Sequence, residues 1–365
     1  MRICWICDTA YQLLNCINYV VSNKLDDSIV DLYIGRQFFK AEEIERKIRQ
    51  ENLFHIVAAY IPLKNERGVL GTIKKVRGVI SPKYRLSRML IDDIRLIPDK
   101  YDAIFMSVPT YFPISMVFQT NADNVFYFDD GSGSYTGDVS AYSLKTRIIY
   151  FILGHSLKRL KPKALYLNNV SFCRSTMNCK KIQLPKIGKG NSDVVKLFSR
   201  IFEYKNDDYY LKHRIIYLMW PNDNDDKMKE NIDEKILSIL KDADRNVLLR
   251  PHPRQTDIDR FGMGIDNHCD MWELVCANQI TDNHVLIGFF STAQMIPKIM
   301  YNCEPTLILL YYLYPTLFSS QRKMELNYLV EKIKSVYSCP EKIIIPKNFV
   351  ELESIIVSIT ADEEN

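Results

Sequence analysis

Apolar residues in the first half of the chain fall in short β-branched runs, each trailed by a longer amphipathic stretch. Arg2 to Cys7 precedes Tyr11 to Ser22, Ile29 to Gly35 precedes Ala41 to Gln50, and Ala103 to Val108 precedes a helical stretch after Ile114. His55 to Leu63 reads as a further strand. Asn124 to Phe128 reads as another, ending in Asp129, Asp130 and Gly131, with a helix-like stretch over Ser143 to Leu157 beyond it. Strand then helix, repeated, predicts a parallel α/β sheet. After polar loops around Lys180 to Ser192 the alternation restarts at Arg214. Strands are expected at Ile215 to Met219, Asn246 to Leu249, His284 to Phe289 and Thr306 to Tyr311. Helices are expected at Lys227 to Ala243, Trp272 to Ala277 and Thr292 to Asn302. A last helix, Val350 to Thr360, could pack on either half. No fixed-period repeat interrupts this order.

The pattern predicts an α/β protein of two doubly wound, Rossmann-like domains with an interdomain cleft. An N-terminal, acceptor-side domain would span 1–192, a C-terminal domain 210–345, and a helix and tail 346–365. The length agrees, since 365 residues exceed what one core usually serves. With 47% hydrophobic and 25% charged residues, the chain can bury a sizeable core.

Charge excludes one class of partner. Lys and Arg number 48 against 44 Asp and Glu, a net +4, far from the basic balance of a dedicated nucleic-acid binder. Locally, Lys64, Arg67, Lys74, Lys75, Arg77, Lys83, Arg85 and Arg88 face a single acid, Glu66. This stretch is either a solvated face or a patch for an anionic membrane or glycan. Nine scattered cysteines and the start MRICWIC, without the features of a secretory signal, lead us to expect reduced thiols and a cytoplasmic protein. No apolar run is long enough to span a bilayer.

Four motifs fall just after predicted strands, where such folds bind ligands. In FYFDDGSGSY, Asp129 and Asp130 lie before the Gly131 turn, and paired carboxylates can raise one partner's pKa to make a general base. In LLRPHPRQT, His252 is held between Pro251 and Pro253, with Arg250 and Arg254 beside it, a setting for proton donation to a phosphate. In IGFFSTAQMIPKIM, Phe290 leads to Ser291 and Thr292 at a helix N-terminus, which is either an ordinary cap or a phosphate site. In WPNDNDDKMKEN, Asp225 lies in a carboxylate-rich loop that either caps a helix or faces the cleft. The histidines show no metal-ligand spacing, and no metal is expected.

With these residues in view, the chain resembles glycosyltransferase family 52, the bacterial lipooligosaccharide α-2,3-sialyltransferases. RPHPRQT carries the resemblance most specifically, joined by the DDG turn, DDKMKE from Asp225 to Glu230, Glu273 in MWELV, and FFS at Phe289 to Ser291. The resemblance implies glycosyltransferase-B architecture and an inverting, metal-independent transfer of sialic acid from a cytidine monophosphate (CMP) donor. The acceptor would be a galactose-terminated surface glycan, and no cofactor is implied beyond the donor, CMP-sialic acid. His252 matches the general acid; Ser291 with the next amide matches the phosphate site; Glu273 matches a nucleotide contact. For the base, Asp225 matches the family, with Asp223 and Asp226 close by, whereas in the related family 80 the role falls to the position of Asp130. A homodimer and peripheral contact with the inner membrane, through the basic stretch near Lys74, are consistent with the resemblance. Two alternatives stay open: a related transferase with another nucleotide-sugar donor, and a non-catalytic nucleotide-binding protein of surface-polysaccharide assembly.

Overall fold

A computed structural model describes the chain except residues 26, 64–75, 138–143, 153, 175–176, 188–191, 206, 220–233, 242–246, 253–262, 269, 315–318 and 362–365. It folds into two compact units: Met1–Lys186 with Lys196–Phe202, and Ile187–Val195 with Glu203–Asn365.

In the first unit, strands β1 (Arg2–Cys7), β2 (Ile29–Gly35), β3 (Ile56–Tyr60), β4 (Ala103–Met106), β5 (Asn124–Phe128), β6 (Ala164–Leu167) and β7 (Lys180–Gln183) form one sheet. Its order is β3-β2-β1-β4-β5-β6-β7. Every pairing is parallel. A parallel sheet covered on both faces needs strands that are apolar throughout, and β1 meets this with Ile3, Cys4, Trp5, Ile6 and Cys7 all at 2% exposure or less. Trp5 stacks on Phe105 of β4 with centroids 4.2 Å apart and planes 9° from parallel. The Cys4 and Cys7 pair therefore belongs to the core.

The second unit repeats the plan with β8 (Ile215–Leu218), β9 (Leu248–Arg250), β10 (Gly264–Ile265), β11 (Val285–Gly288), β12 (Thr306–Leu309) and β13 (Ile343–Ile344), ordered β10-β9-β8-β11-β12-β13. These pairings too are parallel. Ile215, Tyr217, Leu249, Val285 and Ile287 make its core, together with Ile236, Leu237 and Leu240 from a helix over 234–241. Leu352 and Ile356 of the last helix, Phe349–Ala361, join the same core, which assigns that helix to the second unit. Among the described residues no helix is long and apolar enough to cross a membrane.

In each sheet the chain starts in the middle, moves outward one way, then crosses to the other side. The reversal falls between β1 and β4 in one sheet and between β8 and β11 in the other. Beyond the carboxyl ends of strands flanking such a reversal, the connecting loops splay apart and leave a ligand crevice.

Some elements were not foreseen. β7 reads as polar loop because it is an edge strand carrying Lys180 and Lys181, with Lys180 and Gln183 exposed; charged edges of this kind resist pairing with other chains. Helices Ser192–Phe202 and Ser320–Lys334 likewise lie where the pattern predicts no element. The strand expected from His55 to Leu63 is shorter, Ile56–Tyr60, and the one from Thr306 to Tyr311 turns at Leu310 into a single 3-10 turn.

Candidate functional site

The first unit gathers carboxylates past the carboxyl ends of β1 and β5. Asp129 and Asp130 are neighbours in sequence, but successive residues leaving a strand point to opposite sides, and their environments differ completely. Asp129 is fully buried. Its Oδ1 accepts from the Gly131 amide at 2.8 Å, and its Oδ2 accepts from the Tyr135 hydroxyl, the Asn168 amide at 3.1 Å and the Asn168 side chain at 3.2 Å. Burial pushes its pKa up while these donors pull it back. Gly131, at φ 95°, lets the backbone turn straight into the short helix Ser132–Thr136. Asp129 is thus the anchor of the turn. Replacing it with Ala leaves several buried donors without an acceptor, and thermal unfolding should register a loss on the order of 3 kcal/mol or more; unchanged stability would remove Asp129 from that part.

Asp130 is only partly buried. Its pKa is pushed up to about 6, chiefly by burial and further by the charges of Asp129 and Asp8, against the opposing effect of a hydrogen bond from Gln12. Gln12 sits three residues after Thr9, the N-cap of helix Ala10–Ser22. Its Oε1 accepts from the Asp8 amide at 2.6 Å, so its amide nitrogen must face the other way, and it donates to Asp130 Oδ1 at 2.5 Å. Asp8 in turn accepts from the Tyr60 hydroxyl at 2.6 Å, and burial raises its pKa as well. Gly35 leaves room for this carboxylate, since a Cβ there would overlap Asp8 Oδ1.

In the second unit, His252 lies two residues past β9 and is partly buried. Arg250 was expected to meet an anion, but its guanidinium is engaged within the protein. It pairs with Asp266 at 2.7 Å, donates to the Tyr210 hydroxyl and the Asp270 carbonyl, and lies 5.0 Å over the Trp272 ring. Asp266 is 4% exposed, so this buried ion pair ties the end of β9 to the segment after β10. Pro253, Arg254, Asp223, Asp225 and Asp226 lie outside the described residues.

Glu273 occupies the first turn of helix Trp272–Asn278, where burial raises its pKa. The neighbouring Trp272 donates from Nε1 to the Ala293 carbonyl at 2.7 Å, in the first turn of helix Thr292–Tyr301. The end of β9, the Glu273 helix and the Ser291 helix therefore meet at one edge of the second unit. Ser291 is exposed at the N-cap and Thr292 partly buried. Ahead of them, Phe290 has φ 96°, a conformation costing a non-glycine residue about 1 to 3 kcal/mol. Gln294 holds it there: Oε1 accepts from the Phe290 amide at 3.0 Å and the Ser291 amide at 3.2 Å, while Nε2 donates to the Leu286 and Ile308 carbonyls.

Asp8, Gln12, Asn168, Asp266 and Gln294 were not singled out from the sequence. A signal existed for two of them: Thr9-x-x-Gln12 and Ser291-x-x-Gln294 both carry the spacing of a capping box at a strand-to-helix junction. Among the described residues, no group of three or more His, Cys, Asp or Glu side chains is arranged to hold a metal ion.

No family model matches the chain, and no curated protein matches it in sequence. Solved structures do match in shape. A sialyltransferase from Photobacterium damsela, at 10% identity and a TM-score of 0.51, covers 94% of this chain and 81% of its own. Arabidopsis thaliana UGT89C1, complexed with UDP-L-rhamnose, is 9% identical with a TM-score of 0.51, over 99% of this chain and 90% of its own. LpCGTa, in complex with UDP, gives the same identity, TM-score and shares. At such identities the likeness shows the fold, which is the glycosyltransferase-B architecture of two parallel α/β sheets.

Proposed function

We propose that the protein is a glycosyltransferase that moves sialic acid from CMP-sialic acid to a galactose-type hydroxyl of a bacterial surface glycan, with inversion and without a metal, as the family 52 resemblance implies. The observation that carries the proposal is Asp130. It is a partly buried carboxyl whose pKa of about 6 places it near the working pH of a general base, and Gln12 fixes the position of one of its oxygens. Its neighbour Asp129 is consumed by structure, which leaves Asp130 to do chemistry.

The reaction divides into two proton movements. The acceptor oxygen gives its proton to a carboxylate, here Asp130 as at the family 80 position, with Asp225, the family 52 match, as the rival base, and forms the new bond to C2 of sialic acid. The bond from C2 to the phosphate oxygen breaks, and its electron pair leaves with CMP, which takes a proton or hydrogen bond from His252. Attack opposite the leaving group inverts C2. Ser291 at its helix end is assigned to the phosphate, and Glu273 to the nucleoside. Arg250 supports this site indirectly by tying the end of β9 to the segment after β10 that leads into the Glu273 helix.

A second reading, in which the fold takes another nucleotide sugar, is favoured by the neighbours complexed with UDP and UDP-L-rhamnose. One experiment separates the two. The purified protein is incubated with CMP-sialic acid and a lactose-type acceptor in EDTA, and CMP and product are followed by mass. Sialylated product, with inhibition by CMP and not by UDP, is expected. Inhibition by UDP alone, with no CMP released, would move the assignment to a UDP-sugar donor.

A further inference from the structure

In the helix Leu144–Ile152 of the first unit, Ile148, Phe151 and Ile152 are 49%, 79% and 72% exposed. Their spacing of three and four residues puts them on one face. Tyr150, on the other side, is buried, with its ring 6.0 Å from Phe118. A lone exposed apolar side chain is ordinary, but an aromatic and two isoleucines side by side in water call for a partner.

The charges around this stripe say which partner. From residue 139 to residue 192 the chain contains no Asp or Glu and 11 Lys or Arg. Arg147 is exposed, one turn before Phe151. After the helix the chain folds back through the 3-10 turn Leu157–Leu160, where Lys158 is exposed, followed by exposed Lys161. His155 stacks on Phe118 at 4.5 Å and the Arg159 guanidinium lies 5.8 Å over the same ring. Phe118 is therefore a common floor for the helix and the basic turn, which sets the turn beside the helix, while Arg147 flanks the apolar stripe on the helix itself.

We infer that this surface docks on a bilayer of anionic lipids, with Ile148, Phe151 and Ile152 entering the headgroup boundary and Arg147, Lys158 and Lys161 meeting lipid phosphates. A second copy of the chain fits less well, because a symmetric interface would set the same cations against each other. In the basic stretch marked in the sequence, Arg77, Lys83 and Arg88 are exposed as well, so it could add cations to the same contact. Lys64, Arg67, Lys74 and Lys75 lie outside the described residues, Arg85 is 4% exposed with its guanidinium over Tyr111, and Arg77 stacks on Tyr84. The inference stands apart from the sialyltransfer proposal, since it uses none of the residues assigned to it.

The test is co-sedimentation of the full chain with vesicles of phosphatidylcholine alone, or of phosphatidylcholine with phosphatidylglycerol. Binding to the anionic vesicles only is expected. The double variant Phe151→Ser, Ile152→Ser should weaken it by about tenfold or more, and Lys158→Glu with Lys161→Glu by a similar factor. No binding, equal binding to both vesicles, or anionic binding that neither variant weakens would overturn the inference. A dimer dissociated by the first double variant, with vesicle binding unchanged, would also overturn it and make the face a self-association surface. The lysine pair removes no apolar contact, so it decides the matter even if the first variant folds poorly.

Discussion

Replacing Asp130 with Asn should lower turnover by about a thousandfold while leaving the protein more stable at neutral pH. The first effect is the loss of a general base, whose contribution is roughly 10² to 10⁴. The second follows from the direction of the pKa shift. A carboxyl raised from 3.8 to about 6 binds its proton more tightly in the folded protein than in the unfolded chain. Its charged form therefore opposes folding above that pH, and the opposition fades as pH falls through 6 and the group becomes neutral. Asn is neutral throughout and its oxygen can still accept from Gln12, so the variant should gain on the order of 1 to 3 kcal/mol at pH 7 and show less of that pH dependence. In the unaltered enzyme, kcat/KM should fall about tenfold per pH unit below 6, because only the deprotonated base works. Asp225→Asn in parallel distinguishes the two candidate bases. A dead Asp225 variant beside an active Asp130 variant would transfer the role to Asp225.

His252→Ala should reduce kcat by two to four orders of magnitude, about the range of general acid catalysis, with thermal unfolding little changed because the residue sits past the end of β9 and outside the apolar core. A specific signature should accompany the loss. A general acid must be protonated, so the alkaline limb of the pH–rate profile belongs to it and should disappear in the variant, while the acid limb set by Asp130 remains. Normal turnover in His252→Ala would exclude the histidine as the acid, whatever the donor proves to be.

The sheets were legible because parallel strands buried on both faces are nearly all apolar, as in β1 and β11. The turns after β5, β9 and β11 were legible because Asp-Asp-Gly, Pro-His-Pro and Phe-Ser-Thr interrupt such runs abruptly. The division of labour between Asp129 and Asp130 was not, because it depends on Asn168 and Tyr135 arriving from sequence separations of 39 and 6 residues. The internal partners of Arg250 were hidden for a similar reason. A cation beside a phosphate-type motif suggests an anion, and only the folded chain supplies Asp266 and Tyr210 to occupy it. Gln12 and Gln294 went unmarked because a glutamine early in a helix looks like surface, whereas both carry their bonds inside, at 2% and 1% exposure.

Trp272 gives the second unit an optical property. Its indole lies under the Arg250 guanidinium and is hydrogen-bonded to Ala293, so it spans the junction between the end of β9 and the helix that begins after Ser291. Trp5, at 0% exposure, is sealed in the core of the first unit. An anion drawn to the Ser291 helix end alters the electric field across the Trp272 ring and leaves the surroundings of Trp5 as they were. With the third indole removed as Trp220→Phe, emission can then follow occupancy of that junction in solution, with no label attached and no turnover required.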